Sequence, residues 1–338
     1  MKVNIKSEDI FEISSKIKNN SGFYKRTKKL EHGIAESNVK ILNEEVSKKV
    51  ERDLGSYTSF LFNDLFFYDF DAKEYLSKQI RKTILKLVKE NELKCKKILV
   101  VGLGNEKFAC DSLGKNVVDR ILITKPYLER DLFDKSKMAE IYALSLGVYG
   151  TTGLDTSKTI KSVCQMLKPD LVIAIDSLVA GEYKKLAKSV QISDTKLLPG
   201  GGVGNDRQEI SEKILGVKVF AIGVPLVAKI DYSNNDDLIV APKDVEQKVS
   251  ILSKIIAKGI NLSFCKLTEK EYLELTMWTI KIKKSYKYLW AKNGFWLLIV
   301  EMVERGHFQK YATCYPMKTI CFLWIKFTHH MEINQKNF

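Results

Sequence analysis

The hydrophobic rhythm changes several times along the middle of the chain. Short continuous apolar runs, such as ILVV at 98–101 and LVIAI at 171–175, alternate with segments whose apolar residues recur every three or four positions. Continuous runs suit strands buried on both faces, and the longer spacing suits helices with one buried face. The pattern predicts strands at Lys97–Val101, Ile141–Val148, Leu171–Ile175, Ser189–Ile192 and Val217–Ile222. Helices are predicted at Ser112–Ile123, Thr156–Leu167, Leu178–Ala187 and Gln208–Leu215. Strands and helices in alternation imply parallel pairing through crossovers, hence an α/β fold: a three-layer α/β/α sandwich around a mostly parallel sheet.

The flanks read differently. Leu76, Ile80, Ile84 and Leu87 predict a helix over Lys73–Asn91, and Val245, Val249, Leu252, Ile256 and Ile260 predict a last one from Pro242 to about Asn261. Residues 1–70 lack a clear period and are expected to form a small, partly extended N-terminal region. Residues 275–338 hold all four tryptophans and three of the four histidines, so they are expected to be an appendage of low local order. The division expected is an N-terminal extension and helix over 1–92, an α/β core over 93–264 and an atypical C-terminal tail over 265–338.

Composition narrows the function classes. A chain of 338 residues that is 45% hydrophobic can bury a sizeable core. The net charge of +14 raises the question of nucleic acid, but half of it lies in residues 275–338, and no nucleic-acid motif gathers it. No direct nucleic-acid partner is expected. Six cysteines without a CxxC pair suggest reduced thiols rather than a zinc site or a disulfide framework. The longest apolar run, Phe295–Val300, is far below the roughly 20 residues that span a bilayer, and the polar N-terminus does not read as a secretory signal, so a cytoplasmic protein with no membrane partner is expected.

Three segments carry candidate chemistry. In VVGLGNEKFACDSLG (100–114) a strand exits through Gly102 and Gly104 towards Asp111. A dinucleotide fingerprint would need a third glycine where Lys107 stands. In PDLVIAIDSL (169–178) an apolar strand runs to Asp176. Either aspartate reads as a helix cap or as a site residue. In the third segment Gly200, Gly201, Gly202 and Gly204 share a loop with Arg207, without the GK[ST] of a P-loop. No histidine lies between His32 and His307, which argues against Ser-His-Asp, Cys-His or histidine-bound zinc chemistry in the core. Carboxylates are what remains.

Taken in order, VVGLGNEKFACDSLGKNVVDRILITKPYL, GVYGTTGLDTSKTIKSVCQMLKPDLVIAIDSL and SVQISDTKLLPGGGVGNDRQEISEKILGVKVFAIGVPLV resemble the germination (spore) protease family, as does LIVAPKDVEQKVSILSKIIAKGINLSF after them. The resemblance covers about residues 95–264. It implies an endopeptidase of the spore core that begins degradation of small acid-soluble spore proteins at germination. It also implies a homotetramer made from an inactive precursor, with a fold similar to hydrogenase maturation proteases. The family's two essential aspartates fall on Asp111 and Asp176, and the glycine loop with Arg207 is the candidate substrate-binding segment. No metal or cofactor is expected. The sequence departs from the family at Lys28 and Lys29, where its N-terminal RTDLA motif has Asp and Leu, and in the short stretch between Val227 and LIVAPKDV. Alternatives are a catalytically impaired relative, a metal-dependent maturation-type protease, or a nucleotide-binding α/β module.

Overall fold

In a computed structural model, residues 7–14, 17–129, 134–199, 208–233, 236–273, 275–276, 289–292, 295–304 and 307–316 are described, with backbone only for 229–237 and 289–316. The chain divides into two units, 1–266 and 267–338.

The first unit begins with α1 (Ile10–Ser14), β1 (Phe23–Lys29), β2 (Ala35–Ile41), α2 (Glu44–Val50) and β3 (Gly55–Leu61). The long α3 (Phe70–Glu90) leads to β4 (Lys97–Gly102), α4 (Leu113–Val118), α5 (Lys125–Leu128), β5 (Glu140–Ser145), α6 (Tyr149–Thr152) and α7 (Thr156–Leu167). Then follow β6 (Leu171–Ala180), β7 (Ser189–Ser193), α8 (Glu212–Leu215), β8 (Val219–Ser233), β9 (Asp236–Val240) and α9 (Val245–Phe264). In the second unit β10 (Leu289–Lys292), β11 (Phe295–Glu304) and β12 (His307–Pro316) form an antiparallel three-stranded sheet.

The first unit is α/β, built on one nine-stranded sheet in the order β1-β2-β3-β7-β8-β6-β4-β5, with β9 beside β8. Its centre is the expected parallel block, in which β4 pairs with β5 and β6, and β6 with β8. The sheet as a whole is mixed, because β7 joins β8 antiparallel and β3, β2 and β1 follow it in antiparallel pairs. Strands β1, β2 and β3, within the region expected to be small and partly extended, are therefore an integral wing of the sheet. GSYTSFL at 55–61 pairs along its whole length with β2 and, over Tyr57–Leu61, with β7 more than a hundred residues downstream, and a local window cannot register the second partner.

Side chains alternate across the sheet, so each strand feeds two cores. Leu99, Val101, Val172, Ala174, Val219 and Ala221 pack with Ile160 and Cys164 of α7 and Leu215 of α8. The alternate positions Ile98, Val100, Ile173, Ile175, Phe220 and Ile222 are buried on the opposite face, where α4 packs on β4 and β6 and α9 packs on α3 and α4. Helix α3 starts where Asp69 accepts from the Ala72 N–H at 2.9 Å, and it buries Leu76, Ile80, Ile84 and Leu87 as their spacing predicts. Gly259 of α9 makes room for Ile80.

Two helices are shorter than predicted. Helix α4 stops at Val118 because the buried Asn261 side chain accepts from the Leu122 N–H at 2.9 Å and donates to the Arg120 carbonyl at 3.1 Å. Helix α8 begins only at Glu212, since Ile210 is drawn into a bridge with Leu197 and Ser211 caps the turn. The helix predicted at Leu178–Ala187 does not form. Strand β6 runs on to Ala180 beside β8, and a 3-10 turn at Tyr183–Lys185 follows.

Candidate active site

Strand β4 ends at Gly102, opposite Ile175 of β6, and the Leu103 N–H donates to the Ile175 carbonyl at 2.9 Å. Asp176 is the next residue along β6, so it stands at the carboxyl rim of the parallel block, where open α/β sheets place their ligands. It is only 5% exposed and lies in register with Gly223 of β8. One carboxylate oxygen accepts from the Ser177 N–H at 2.9 Å. No helix follows, so the cap reading of Asp176 is removed: the residue sits inside a strand that continues four residues further.

Asp111 reaches the same rim by a loop. After β4 the chain passes through Gly104 at φ +97 and a 3-10 turn, Ala109–Asp111, and that turn packs against β6, β8 and α9. The Asp111 carboxylate accepts from the Asn105 N–H at 2.7 Å, closing the loop on itself. It is half-buried and does not cap α4, whose first turn has no side-chain cap at Ser112. A Cβ on Gly104 would overlap the Asp111 carbonyl and approach its Oδ1, so glycine there is what lets the loop fold over the aspartate.

The remaining glycines of this segment serve the same approach. A side chain on Gly102 would strike the Gly114 carbonyl, and one on Gly114 would strike Leu103 and come within 2.7 Å of the Ile175 carbonyl oxygen. The start of α4 thus lies directly on the ends of β4 and β6. The strand-exit glycines are occupied by this packing, which explains the pattern without a phosphate cradle. Gly223 likewise leaves its space to Leu178, two residues beyond Asp176 on the same face.

A third element at this rim carried no readable sequence signal. The segment 8–12 lies along the far end of β6. The Glu8 N–H donates to the Val179 carbonyl at 2.9 Å, while the Glu8 and Glu12 carboxylates accept from the Val179 and Gly181 N–H groups, each at 2.8 Å. Gln191 of β7 accepts from the Ile10 N–H at 2.8 Å, and the Ser189 hydroxyl donates to Asp9 at 3.2 Å. Asp9 is 1% exposed, and burial pushes its carboxyl up to about 6.

Gly200, Gly201, Gly202, Gly204 and Arg207 lie outside the described residues. Among the described residues no three His, Cys, Asp or Glu side chains stand close enough together to hold a metal ion. Nor is any of the described helices long and apolar enough to cross a membrane.

The family model described as germination protease matches residues 3–236, which span both aspartates and the whole parallel block. This chain belongs to the germination protease family. Germination protease of Clostridium tetani is 32% identical over 285 residues, covering 70% of this chain and 87% of the relative. That of Caldanaerobacter subterraneus subsp. tengcongensis is 32% identical over 291 residues, covering 72% and 89%. Over a shorter stretch, 55% of this chain and 51% of the relative, that of Oceanobacillus iheyensis is 36% identical. Among solved structures, the [NiFe] hydrogenase maturation protease HycI from Thermococcus kodakarensis KOD1 aligns with a TM-score of 0.32 at 16% identity, covering 53% of this chain and 98% of that one. Membership in the germination protease family makes the chain a protease by class.

Proposed function

We propose that this member of the germination protease family cleaves small acid-soluble spore proteins in the spore core, with Asp111 and Asp176 sharing one proton. The observation that carries this reading is that neither aspartate serves as a helix cap: Asp111 ends a 3-10 turn without capping α4, and Asp176 lies inside β6. The turn ending at Asp111 packs against the strand that bears Asp176. Two carboxylates at one rim do not both ionise readily, so one keeps its proton. The ionised member takes a proton from water as the oxygen attacks the scissile carbonyl carbon. The protonated member hydrogen-bonds the carbonyl oxygen and stabilises the developing oxyanion. Collapse of the tetrahedral intermediate breaks the C–N bond while a proton passes to the leaving amine. Which aspartate begins as the base is a property of the pair and not of either residue.

The same proposal includes assembly into a homotetramer and synthesis as a precursor. Arg26 to Lys29, in rough register with the family's trimming motif, lie in β1 with every residue paired to β2, so removal of a segment at that point requires β1 to leave the sheet first. The decisive experiment incubates the wild type, Asp111→Asn and Asp176→Asn with a purified small acid-soluble spore protein. Each variant is expected to lose more than about a hundredfold in cleavage rate while keeping the wild-type circular dichroism. Full cleavage by either variant would remove that aspartate from the mechanism.

A further inference from the structure

A cavity of about 390 Å³ lies between the β1–β2 ribbon and α3. Its floor is three cross-strand rows, Tyr24 opposite Lys40, Arg26 opposite Asn38 and Lys28 opposite Glu36. Its wall is one face of α3, where Gln79, Lys82, Thr83 and Lys86 follow at helical spacing. Five cations therefore line one small space. Glu36 pairs with Lys28, and Glu90 on the rim is shared between Lys40 at 3.6 Å and Lys86 at 3.9 Å. The side chains of Arg26 and Lys82 have no ion-pair or hydrogen-bond partner among the described residues. Charged side chains on the sheet's outer strand blunt edge-to-edge association, which accounts for cations on β1. It does not account for Lys82 and Lys86 facing them from a helix more than 50 residues away in sequence. Like charges gathered in this way repel one another until an anion enters.

We propose that this cavity binds a compact polyphosphate anion, a linear oligophosphate either free or carried by a nucleotide. The size of the cavity limits the ligand to a small molecule, and the surplus of cations demands several charges within it. Phosphate groups meet both conditions, because in a linear oligophosphate each internal group carries one charge, a terminal group carries close to two, and all present several acceptor oxygens. A carboxylate peptide spreads one charge per residue over about 3.4 Å of chain and cannot match that density. The guanidinium of Arg26 offers a fork suited to two phosphate oxygens, Lys82 offers a mobile point charge, and Asn38, Gln79 and Thr83 supply neutral hydrogen-bonding groups. Tyr24, 44% exposed at one end of the floor, gives a ring on which a base can stack.

The test is calorimetric titration of the full chain with inorganic tripolyphosphate and with adenosine triphosphate, in metal-free buffer at physiological salt. Saturable binding at one site is expected, with Arg26→Gln and Lys82→Gln each weakening both ligands about tenfold. Tyr24→Leu distinguishes the sources: weaker binding of the nucleotide alone identifies a nucleotide site, and no change for either ligand identifies a free oligophosphate site. Lys158→Gln with Lys161→Gln, two exposed lysines on α7, serves as the control and should leave affinity unchanged. Three results overturn the proposal: no saturable binding, an equal loss in the control, or tighter binding of polyglutamate or a single-stranded oligonucleotide. Cleavage of a protein substrate by the Lys82 variant should stay at the wild-type rate, which separates this site from the aspartate pair.

Discussion

The two strands that deliver the aspartates end in opposite ways. Strand β4 stops at Gly102 and hands over to a short loop held by glycines, all within residues 102–114. Strand β6 passes Asp176 and continues to Ala180, fastened from outside by residues 8–12 and by β8. One end is built from neighbours in sequence. The other is built from groups 169 to 181 positions away, such as Glu12 with Gly181 and Gln191 with Ile10.

That contrast has energetic content which mutations can separate. The largest effect should come from Gly114→Val. Its side chain would be forced against Leu103 and the Ile175 carbonyl, both backbone, with no flexible group to yield. Overpacking of that kind costs on the order of 3 kcal/mol or more, read as a lower urea midpoint, and cleavage should fall with it. Gly150→Ala is the matching control, because nothing lies within 4 Å of a Cβ there. If Gly114→Val unfolds at the wild-type midpoint, the close approach of α4 to the two strand ends is not what holds the rim.

The far end of β6 should respond to pH instead. Asp9 moves from 3.8 to about 6 through burial, offset in part by its hydrogen bonds from the Phe11 N–H and the Ser189 hydroxyl. An acid whose folded pKa is raised binds more protons folded than unfolded between those two values, so stability falls as pH rises through that window. The contribution is fully present below about pH 4 and lost above about pH 6, with an upper bound of about 3 kcal/mol from the two-unit shift. Thermal unfolding between pH 4 and 7 should show this slope, and Asp9→Asn should flatten it. An unchanged slope in Asp9→Asn would place the titration elsewhere.

The same comparison explains what was legible beforehand. Asp111 and its glycines sit in one fifteen-residue stretch, so the sequence alone suggested a strand, a tight exit and an acid before a helix. Asp176 was visible as an acid after an apolar strand, but the helix expected from Leu178 to Ala187 was wrong. Its apolar positions fit a helical face, yet Val179 and Gly181 find their backbone partners in Glu8 and Glu12. The wing β1–β3 was missed for a similar reason, since it joins the rest of the sheet only where β3 pairs with the distant β7. Helix α7, by contrast, has its whole signal inside its own span. Asp155 accepts from the Lys158 N–H at 2.8 Å, Ile160 and Cys164 face the core, and the predicted bounds Thr156–Leu167 are those found.

The smallest effect should come from single contacts of the N-terminal clamp. Glu12 is 7% exposed, and besides the Gly181 N–H it stands 3.7 Å from the Lys185 ammonium. Glu12→Ala removes a buried acceptor and should cost about 1–2 kcal/mol. The cost should appear locally, as faster hydrogen exchange at Gly181 and Val179, while amides of β4 keep their protection. Glu8→Gln, which keeps an acceptor for the Val179 N–H but removes its charge, should show a weaker version of the same pattern, within about 1 kcal/mol. If β4 and β6 lose protection together in either variant, the two rims open as one cooperative unit. The distinction between a locally built end and a remotely fastened one then describes how they are encoded and not how they move.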